Sequence, residues 1–336
     1  MKLTKILLAI SATLSLNLAQ AATIDLSTYT VSTTHALDIF NGTTGPLSGL
    51  EASAVTYAAD RNSLFFVGDE GTGVIEVSLT GQTLGYMYFD WTGTGSNKHD
   101  TEGLTYLGNG ELVVGEERLQ DAYKFTYSNG GTATLANNFV SISNTSVGNN
   151  GMEGISYDPR NGTFVSVKQI SPEDILAGSL TFSAATGGLP ATLPSNGVSP
   201  TGGGVSTMTT LFNPSSLGLA SLSDVQTLGI LGSDDLLILS LDSRKLVTAD
   251  RSGNVKSSFD LSNVLPHNAI EGVTVDSLGN IYLVAEQIQD GSNLPLDPNP
   301  KSQLIVLTAA VPEADTYAML LAGLGIIGFV ARRKQA

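Results

Sequence analysis

The sequence contains no cysteine and few charged side chains, which make up 14% of its 336 residues. Without cysteine the protein has no disulfide bond, thiolate metal ligand or cysteine nucleophile. Basic residues are scarce, since 16 Lys and Arg stand against 31 Asp and Glu and give a formal charge of −15. Because so acidic a chain repels a phosphate backbone, we expect no nucleic-acid partner. The 37 glycines and the low charge also argue against a charged disordered chain.

The N-terminal 21 residues have the composition of a secretory signal peptide. Lys2 and Lys5 precede an apolar run over residues 6–18, and small residues occupy the positions before a cleavage site after Ala21. This order of a basic, an apolar and a small-residue region is typical of an exported protein. The sequence therefore predicts a signal peptide over residues 1–21 and a mature protein outside the cytoplasm.

The C-terminal 26 residues form a second targeting segment. Pro312 and Glu313 are followed by an uncharged stretch over residues 316–331 and then by Arg332, Arg333 and Lys334. A helix through that stretch would rise about 24 Å, slightly less than a bilayer core, so we expect a short membrane helix with its basic end in the cytoplasm. The layout resembles the PEP-CTERM sorting signal of Gram-negative bacteria, although Ala314 stands where that family usually has a second proline. The resemblance implies an exosortase partner, transit through the inner membrane, cleavage near Pro312 and release to the cell surface or matrix.

Between these ends, short runs of Val, Ile, Leu, Phe and Tyr are separated by Gly, Asn, Ser and Thr. This pattern predicts an all-β fold. One motif, represented by Glu102 to Tyr106, recurs with spacings of 49, 51, 70 and 48 residues, and each copy is followed by a turn and a second apolar strand. The five copies cover residues 53–57, 102–106, 153–157, 223–227 and 271–275.

A period near fifty residues predicts a β-propeller over residues 22–310. At about 48 residues per blade the length predicts six blades, the sixth built from residues 28–40 and 303–307, which would close the ring. The longer interval contains glycines and prolines and predicts an inserted loop on one face.

In the same order, the motifs resemble the SdiA-regulated family of exported β-propeller proteins over residues 47–307. The resemblance implies this fold and an exported location but no defined activity. The esterase-like phytase domain family, which also has Asp-x-Glu-Gly repeats, is the alternative. The resemblance depends on residues 51–57, 100–104, 151–158 with Lys168 and Pro172, 222–225 with 236–246, and 270–276.

The repeated carboxylates are the candidate metal ligands. Each lies at the start of a first strand, where blades of a propeller meet a central channel, and crowded oxygens suit a hard cation such as Ca²⁺. Acids capping strand ends in a wet channel are the alternative, and Gly103, Gly154 and Gly272 are expected to serve close backbone packing. The candidate ligands are Glu51, Glu102, Glu153, Asp224 and Glu271, and the predicted channel-lining residues at the ends of the second strands are Asp69, Glu116, Lys168 and Glu286.

A catalytic function has weaker support. His99 and His267 lie near two of the motifs and, with Glu153, are the candidate acid and base groups. The nucleophile elbow, the His-Glu-x-x-His zinc motif and the Walker loop are absent from the sequence. We therefore expect a surface binding module, with a gluconolactonase-like or phytase-like metal-dependent hydrolase of esters, lactones or phosphoesters as the alternative. A structural matrix protein with an inert channel is the third possibility.

Overall fold

The computed structural model describes residues 23–37, 47, 51–142, 148–170, 173–186, 202–288 and 301–310, with the backbone alone for residues 287 and 288. The predicted signal peptide with Ala21, the predicted membrane helix over residues 316–331, and the sorting residues Pro312, Glu313, Arg332, Arg333 and Lys334 lie outside this part. Among the described residues, no helix has the length and apolar character needed to cross a membrane.

Five sheets of the described chain are blades, each built on four antiparallel strands. Blade 1 contains β2 (Ala52–Ala58), β3 (Ser63–Gly68), β4 (Gly73–Val77) and β5 (Thr83–Asp90), and blade 2 contains β6 (Thr101–Gly108), β7 (Glu111–Glu116), β8 (Asp121–Thr126) and β10 (Phe139–Ser141). Blade 3 contains β11 (Met152–Asp158), β12 (Thr163–Lys168), β13 (Asp174–Gly178) and β16 (Thr209–Phe212). Blade 4 contains β17 (Asp224–Thr227), β18 (Leu236–Ser240), β19 (Lys245–Ala249) and β20 (Val255–Asp260). Blade 5 contains β21 (Asn268–Val275), β22 (Ile281–Ile288), β23 (Gln303–Ala309) and β1 (Tyr29–Ala36).

The remaining elements are short. β9 (Thr132–Thr134) runs parallel to β5 at the edge of blade 1, and β14 (Leu180–Thr181) pairs with β15 (Val205–Ser206) in the long interval of blade 3. Four short 3-10 turns cover Leu26–Thr28, Leu135–Asn137, Pro214–Leu217 and Leu228–Leu231.

The ring closes with five blades, so the predicted sixth blade is wrong. The first strands of consecutive blades contact one another, and β21 of blade 5 returns to contact β2 of blade 1. The prediction of a sixth blade failed because it counted the intervals between strands as blade residues. The longest of these intervals lies between β13 and β16. All five motif copies coincide with these first strands, as the repeat predicted, although the fourth copy begins one residue before β17.

The two ends of the chain meet in blade 5. β1 pairs antiparallel with β23, from Tyr29 opposite Ala309 to Ala36 opposite Gln303. The predicted closing segments therefore do pair, but as the outer strands of the fifth sheet. Such pairing makes the last blade depend on both ends of the chain and holds the ring shut.

The core lies between the blades, because both faces of each sheet are covered. Side chains on β3 alternate: Phe65 and Val67 pack in the cluster shared with blade 2, whereas Phe66 packs with Tyr282 and Val284 of blade 5. Burying each such side chain contributes about 1.5–3 kcal/mol. One apolar cluster of this kind occupies each of the five interfaces between neighbouring blades.

Hydroxyl groups of the motif join the first strands around the axis. An edge strand has backbone N–H groups without ladder partners, and here the Ser or Thr of one blade accepts such an N–H from the next. At the interface between blades 4 and 5 the equivalent position is Gln226, whose Oε1 accepts the hydroxyl of Thr274 at 2.9 Å. The four N–H donations are from Tyr106 to Thr56 (3.0 Å), Tyr157 to Thr105 (2.9 Å), Thr227 to Ser156 (2.9 Å) and Tyr57 to Thr274 (3.1 Å).

Candidate functional site

The repeated glutamates sit at β-bulges in the first strands. In blade 2, Thr101 pairs with Glu116 and Gly103 pairs with Gly115, so Glu102 has no partner of its own. The same register shift leaves Glu153 and Glu271 unpaired in blades 3 and 5, and Ser53 in blade 1. Since a bulge re-aims the side chain of the extra residue, it gives the three glutamates a common orientation towards one end of the channel.

The glycine after each glutamate allows the first strands to approach closely. A Cβ on Gly154 would lie 2.4 Å from Asp224 Oδ1, and one on Gly272 would lie 2.8 Å from the carbonyl oxygen of Ser53. A Cβ on Gly103 would lie 3.0 Å from Ile155. These contacts confirm the predicted packing role of the three glycines.

A cavity of about 290 Å³ lies at this end of the channel, and we refer to it as the acidic mouth. Four of the five predicted metal ligands line it, together with two of the four predicted channel-lining residues, Asp69 and Glu286. Its acidic lining residues are Glu51, Asp69, Asp100, Glu102, Glu117, Glu153, Glu271 and Glu286, and its other lining residues are Arg118, Asn149, Gln169 and Leu241.

Two predicted channel residues are displaced by one position. The backbone N–H groups of Asp69, Glu117 and Gln169 each donate to the carbonyl oxygen at the entrance of the preceding first strand, those of Glu51, Asp100 and Gly151 respectively. The equivalents of Asp69 are therefore Glu117 and Gln169. Glu116 and Lys168 do not line the acidic mouth, because alternate residues of a strand face opposite ways.

Glu116 and Lys168 have local partners away from the mouth. The Glu116 carboxylate is fully buried and accepts hydrogen bonds from the backbone N–H of Leu119 (2.6 Å) and the hydroxyl of Ser96 (2.7 Å). Lys168 Nζ donates to the carbonyl oxygen of Ile170 at 3.1 Å. These two side chains support the loops around the mouth instead of lining it.

Asp224 also lies outside the acidic mouth. It occupies the position that glycine holds in blades 2, 3 and 5, and it is 3% exposed. Its Oδ1 accepts the backbone N–H of Val225 and its Oδ2 accepts that of Val273, both at 2.7 Å. Both carboxylate oxygens are thus engaged by backbone groups between blades 4 and 5.

The electrostatics of the mouth are dominated by burial and by like charges. Burial, followed by repulsion from Glu153 and Glu271, raises the pKa of Glu102 well above its usual range. Burial raises the pKa of Glu117 to about 7 and, with a hydrogen bond to Glu51, raises the pKa of Asp69 to about 9. Burial likewise raises the pKa values of Glu153 and Glu271. The protein alone therefore favours several neutral carboxyl groups in the mouth.

Arg118 is the one cationic side chain among the residues that line the mouth. Its guanidinium pairs with Asp100 and also donates to the side-chain oxygen of Asn149. The described lining therefore brings eight carboxyl groups together with one guanidinium. Sequence reasoning missed Arg118 and Asp100, although Asp100 precedes its motif by the same interval as Glu51.

The two candidate histidines do not line the acidic mouth. His99 stacks on Trp91 with ring centroids 4.9 Å apart, and burial lowers the pKa of its imidazole. Trp91 itself is 9% exposed and donates to the carbonyl oxygen of Gly71, consistent with the packing role of a core aromatic. His267 precedes β21 and is also absent from the lining of the mouth. The structure thus brings four of the five candidate metal ligands together but neither candidate histidine.

Comparison with known families gives two matches. The profile of the family described as SdiA-regulated matches residues 34–287, about three quarters of the chain. The profile described as the PEP-CTERM protein-sorting motif matches residues 310–334.

Solved structures with similar backbones are distant in sequence. The PQQ-bound aldose sugar dehydrogenase from Streptomyces coelicolor is 11% identical, with a TM-score of 0.46, over 83% of this chain and 98% of that one. Glutaminyl cyclase from Myxococcus xanthus is 12% identical, with a TM-score of 0.43, over 84% and 97%. A gluconolactonase from Xanthomonas campestris is 10% identical, with a TM-score of 0.41, over 77% and 87%.

Proposed function

Since this chain belongs to the SdiA-regulated family and carries a PEP-CTERM sorting motif, we propose that it is an exported binding module whose acidic mouth takes up a divalent cation. Ca²⁺ suits this role best, because it accepts six to eight oxygen ligands in flexible geometry. The sorting motif supports handling by an exosortase, anchoring in the inner membrane during transit, and a final position at the cell surface or in the matrix.

The observation that carries this proposal is the convergence of eight carboxyl groups, with one guanidinium, on a single cavity. Ionising several of them together is unfavourable, as the raised pKa values of Glu102, Glu153 and Glu271 indicate. A bound dication removes this penalty by supplying the missing positive charge.

Binding would require the side chains to rotate towards the ion. Among the described residues, no three acidic or histidine side chains already stand close enough together to hold a metal ion. The bulged backbone fixes the Cα positions of Glu102, Glu153 and Glu271, so closing the site would require changes in their side-chain torsions. We therefore expect a site that closes around Ca²⁺ by movement of side chains, with release of protons from the carboxyl groups.

Calorimetric titration of the metal-free propeller with Ca²⁺ in buffers of different ionisation enthalpy tests the proposal. We expect saturable binding with proton release, and stabilisation by about 2.7 kcal/mol when Ca²⁺ exceeds its Kd a hundredfold. A protein that shows neither a heat of binding nor a change in Tm on addition of Ca²⁺ or chelator would contradict it.

Glu153→Gln separates the metal site from the fold, because it removes a charge and keeps the shape. We expect Ca²⁺ affinity to fall about tenfold, while the Tm of the metal-free protein above pH 7 rises by about 2–4 °C because the cost of burying an ionisable carboxyl group among other acids is removed. Glu111→Gln is the matched control, since Glu111 is half-exposed and does not line the mouth. Its Oε1 pairs with Lys124 Nζ at a distance of 3.2 Å. Equal effects of both substitutions would count against a specific site.

A metal-dependent hydrolase is the second candidate. Its specific support is Glu117, whose pKa of about 7 suits proton transfer near neutral pH and which lines the mouth where His99 and His267 do not. Assays of ester, lactone and phosphoester turnover with Ca²⁺ test it. We expect Glu117→Gln to lower any such turnover about a hundredfold or more, and activity indistinguishable from buffer in the unsubstituted protein would remove this candidate.

A further inference from the structure

A second cavity, of about 280 Å³, lies at the opposite end of the channel, and we refer to it as the neutral mouth. It is lined at the C-terminal ends of the five first strands and by the turns that follow them, so every blade contributes. None of the residues that line the acidic mouth lines it. Its size is near the lower limit of small-molecule sites, about 300 Å³, which corresponds to a ligand of one small ring.

The lining of the neutral mouth selects against charged ligands. Asp60 is the one carboxylic acid in the lining, and no Lys, Arg or His contributes to it. Leu107 and Ile230 provide half-buried apolar surface, and aromatic residues stand at the strand ends of three blades. An uncharged molecule with one apolar face therefore fits this chemistry.

Two buried hydroxyl groups in the lining have an unused donor. Thr56 and Thr105 are each 4% exposed, and each accepts a backbone N–H from the next blade. Neither hydroxyl donates to any group in the described part of the chain, whereas Thr274 donates to Gln226 and Ser156 donates to Thr227. Since a buried donor left without an acceptor costs free energy, these two hydroxyls favour a ligand that brings acceptor oxygens.

The rim offers the complementary group. Asp60 is exposed at the entrance, where its carboxylate accepts the backbone N–H of Asn109 at 3.1 Å and has further acceptor capacity. A ligand can therefore donate a hydrogen bond to Asp60 at the rim and accept hydrogen bonds from Thr56 and Thr105 inside the cavity. Combining an apolar face with hydroxyl groups that both donate and accept is the chemistry of a sugar ring.

We propose that the neutral mouth binds a single uncharged sugar ring, either as a free monosaccharide or as the terminal residue of a glycan. This site is independent of the cation proposed for the acidic mouth, because the two cavities share no lining residue. Sugar binding is therefore expected to persist in the presence of chelator and in the Glu153→Gln variant.

Titration of the propeller with glucose, galactose, mannose and N-acetylglucosamine, followed by saturation-transfer NMR and calorimetry, tests the proposal. We expect at least one sugar to bind, and Thr56→Val with Thr105→Val to weaken it about tenfold or more, the effect of one or two lost hydrogen bonds. Thr56→Ser with Thr105→Ser keeps both hydroxyls and should retain binding. Methyl glycosides and oligosaccharides that end in the same residue distinguish a free sugar from a glycan end.

Blocking variants locate the site independently of the hydrogen bonds. Leu107→Trp fills the neutral mouth and should abolish sugar binding, whereas Leu241→Trp at the acidic mouth should leave it unchanged. Asp60→Asn, at an exposed rim position, should weaken binding without disturbing packing. Failure of all four sugars to bind, retained affinity in Leu107→Trp, or a preference for charged ligands over neutral sugars would overturn the proposal.

Discussion

At the scale of single residues, the acidic mouth combines burial with like charge. Glu117 is 2% exposed, and burial together with repulsion from Asp100 raises its pKa from 4.5 to about 7. Burial, together with the nearby carboxyl groups of Glu51, Glu70 and Glu286, raises the pKa of Asp69 to about 9. Both groups hold a proton in the folded protein at pH values where the unfolded chain has released it. Stability is thus linked to pH through these few side chains.

The sign of this linkage gives a prediction for the metal-free propeller. Its free energy of unfolding should fall as pH rises from about 4, the unfolded carboxyl pKa, to about 9, because the folded state binds more protons in this window. The slope is about 1.4 kcal/mol per pH unit for a buried carboxyl group such as Glu117, up to its own pKa. Chemical denaturation at several pH values measures it, and saturating Ca²⁺ should flatten the fall. Stability that rises with pH over this window would be inconsistent with the electrostatics described here.

At the scale of elements, two features of the motif shape the first strands. The bulge at the glutamate directs the acid to the channel end, and the hydroxyl three residues later accepts the N–H of the next blade. Ser156 is the most connected of these hydroxyls, because it accepts the backbone N–H of Thr227 at 2.9 Å and the amide of Gln226 at 3.1 Å. The motif therefore connects neighbouring blades as well as placing a carboxyl group at the channel end.

Ser156→Ala should destabilise the propeller by about 1–3 kcal/mol, because it leaves a buried backbone N–H without its acceptor. Ser128→Ala is the matched control at an exposed position and should change stability by less than about 0.5 kcal/mol. Urea unfolding of both variants gives the comparison. If the two substitutions have the same small effect, the hydroxyl ring contributes little to stability.

At the scale of the whole molecule, the ring depends on strands from both ends of the chain. β1 completes blade 5 beside β23, and Ile24 and Leu26 ahead of it pack in the cluster between blades 4 and 5. The sorting motif begins directly after β23, at residue 310. Blade 5, which closes the ring, is therefore also the blade from which the chain continues into the sorting motif.

Removing residues 23–37 should open the ring at blade 5. The edge of β23 would be left unpaired and part of the adjacent core would be exposed, so we expect a broad transition at lower Tm in place of a single cooperative one. Adding a peptide that covers these residues should restore the transition at least in part. Unchanged cooperative unfolding after truncation would show that β1 is dispensable for closure.

Processing gives a prediction for the intact chain in a host that contains an exosortase. The protein should lose residues 1–21 on export and later the segment after Pro312, because residues 1–21 have the composition of a signal peptide and residues 310–334 match the PEP-CTERM sorting motif. Mass spectrometry of surface material measures both ends. Recovery of surface protein that still carries Arg332, Arg333 and Lys334 would contradict the second cleavage.

The sequence by itself determined the all-β propeller, the five first strands and the gathering of Glu102, Glu153 and Glu271 at one channel end. These follow from local patterns, because a repeated motif places the same residue at the same point of each blade. The tertiary structure alone decided that five blades close the ring. Chain length could not decide this, because the residues of inserted loops and those of blades both add to the length. The tertiary structure also decided that Glu117 and Gln169, not Glu116 and Lys168, reach the mouth. Alternate residues of a strand face opposite ways, and only the backbone hydrogen bonds to Asp100 and Gly151 show which residues are equivalent to Asp69. The tertiary structure decided the place of Asp224 as well. Its strand begins one position after the bulge of the other first strands, and there its carboxylate accepts a backbone N–H of blade 5.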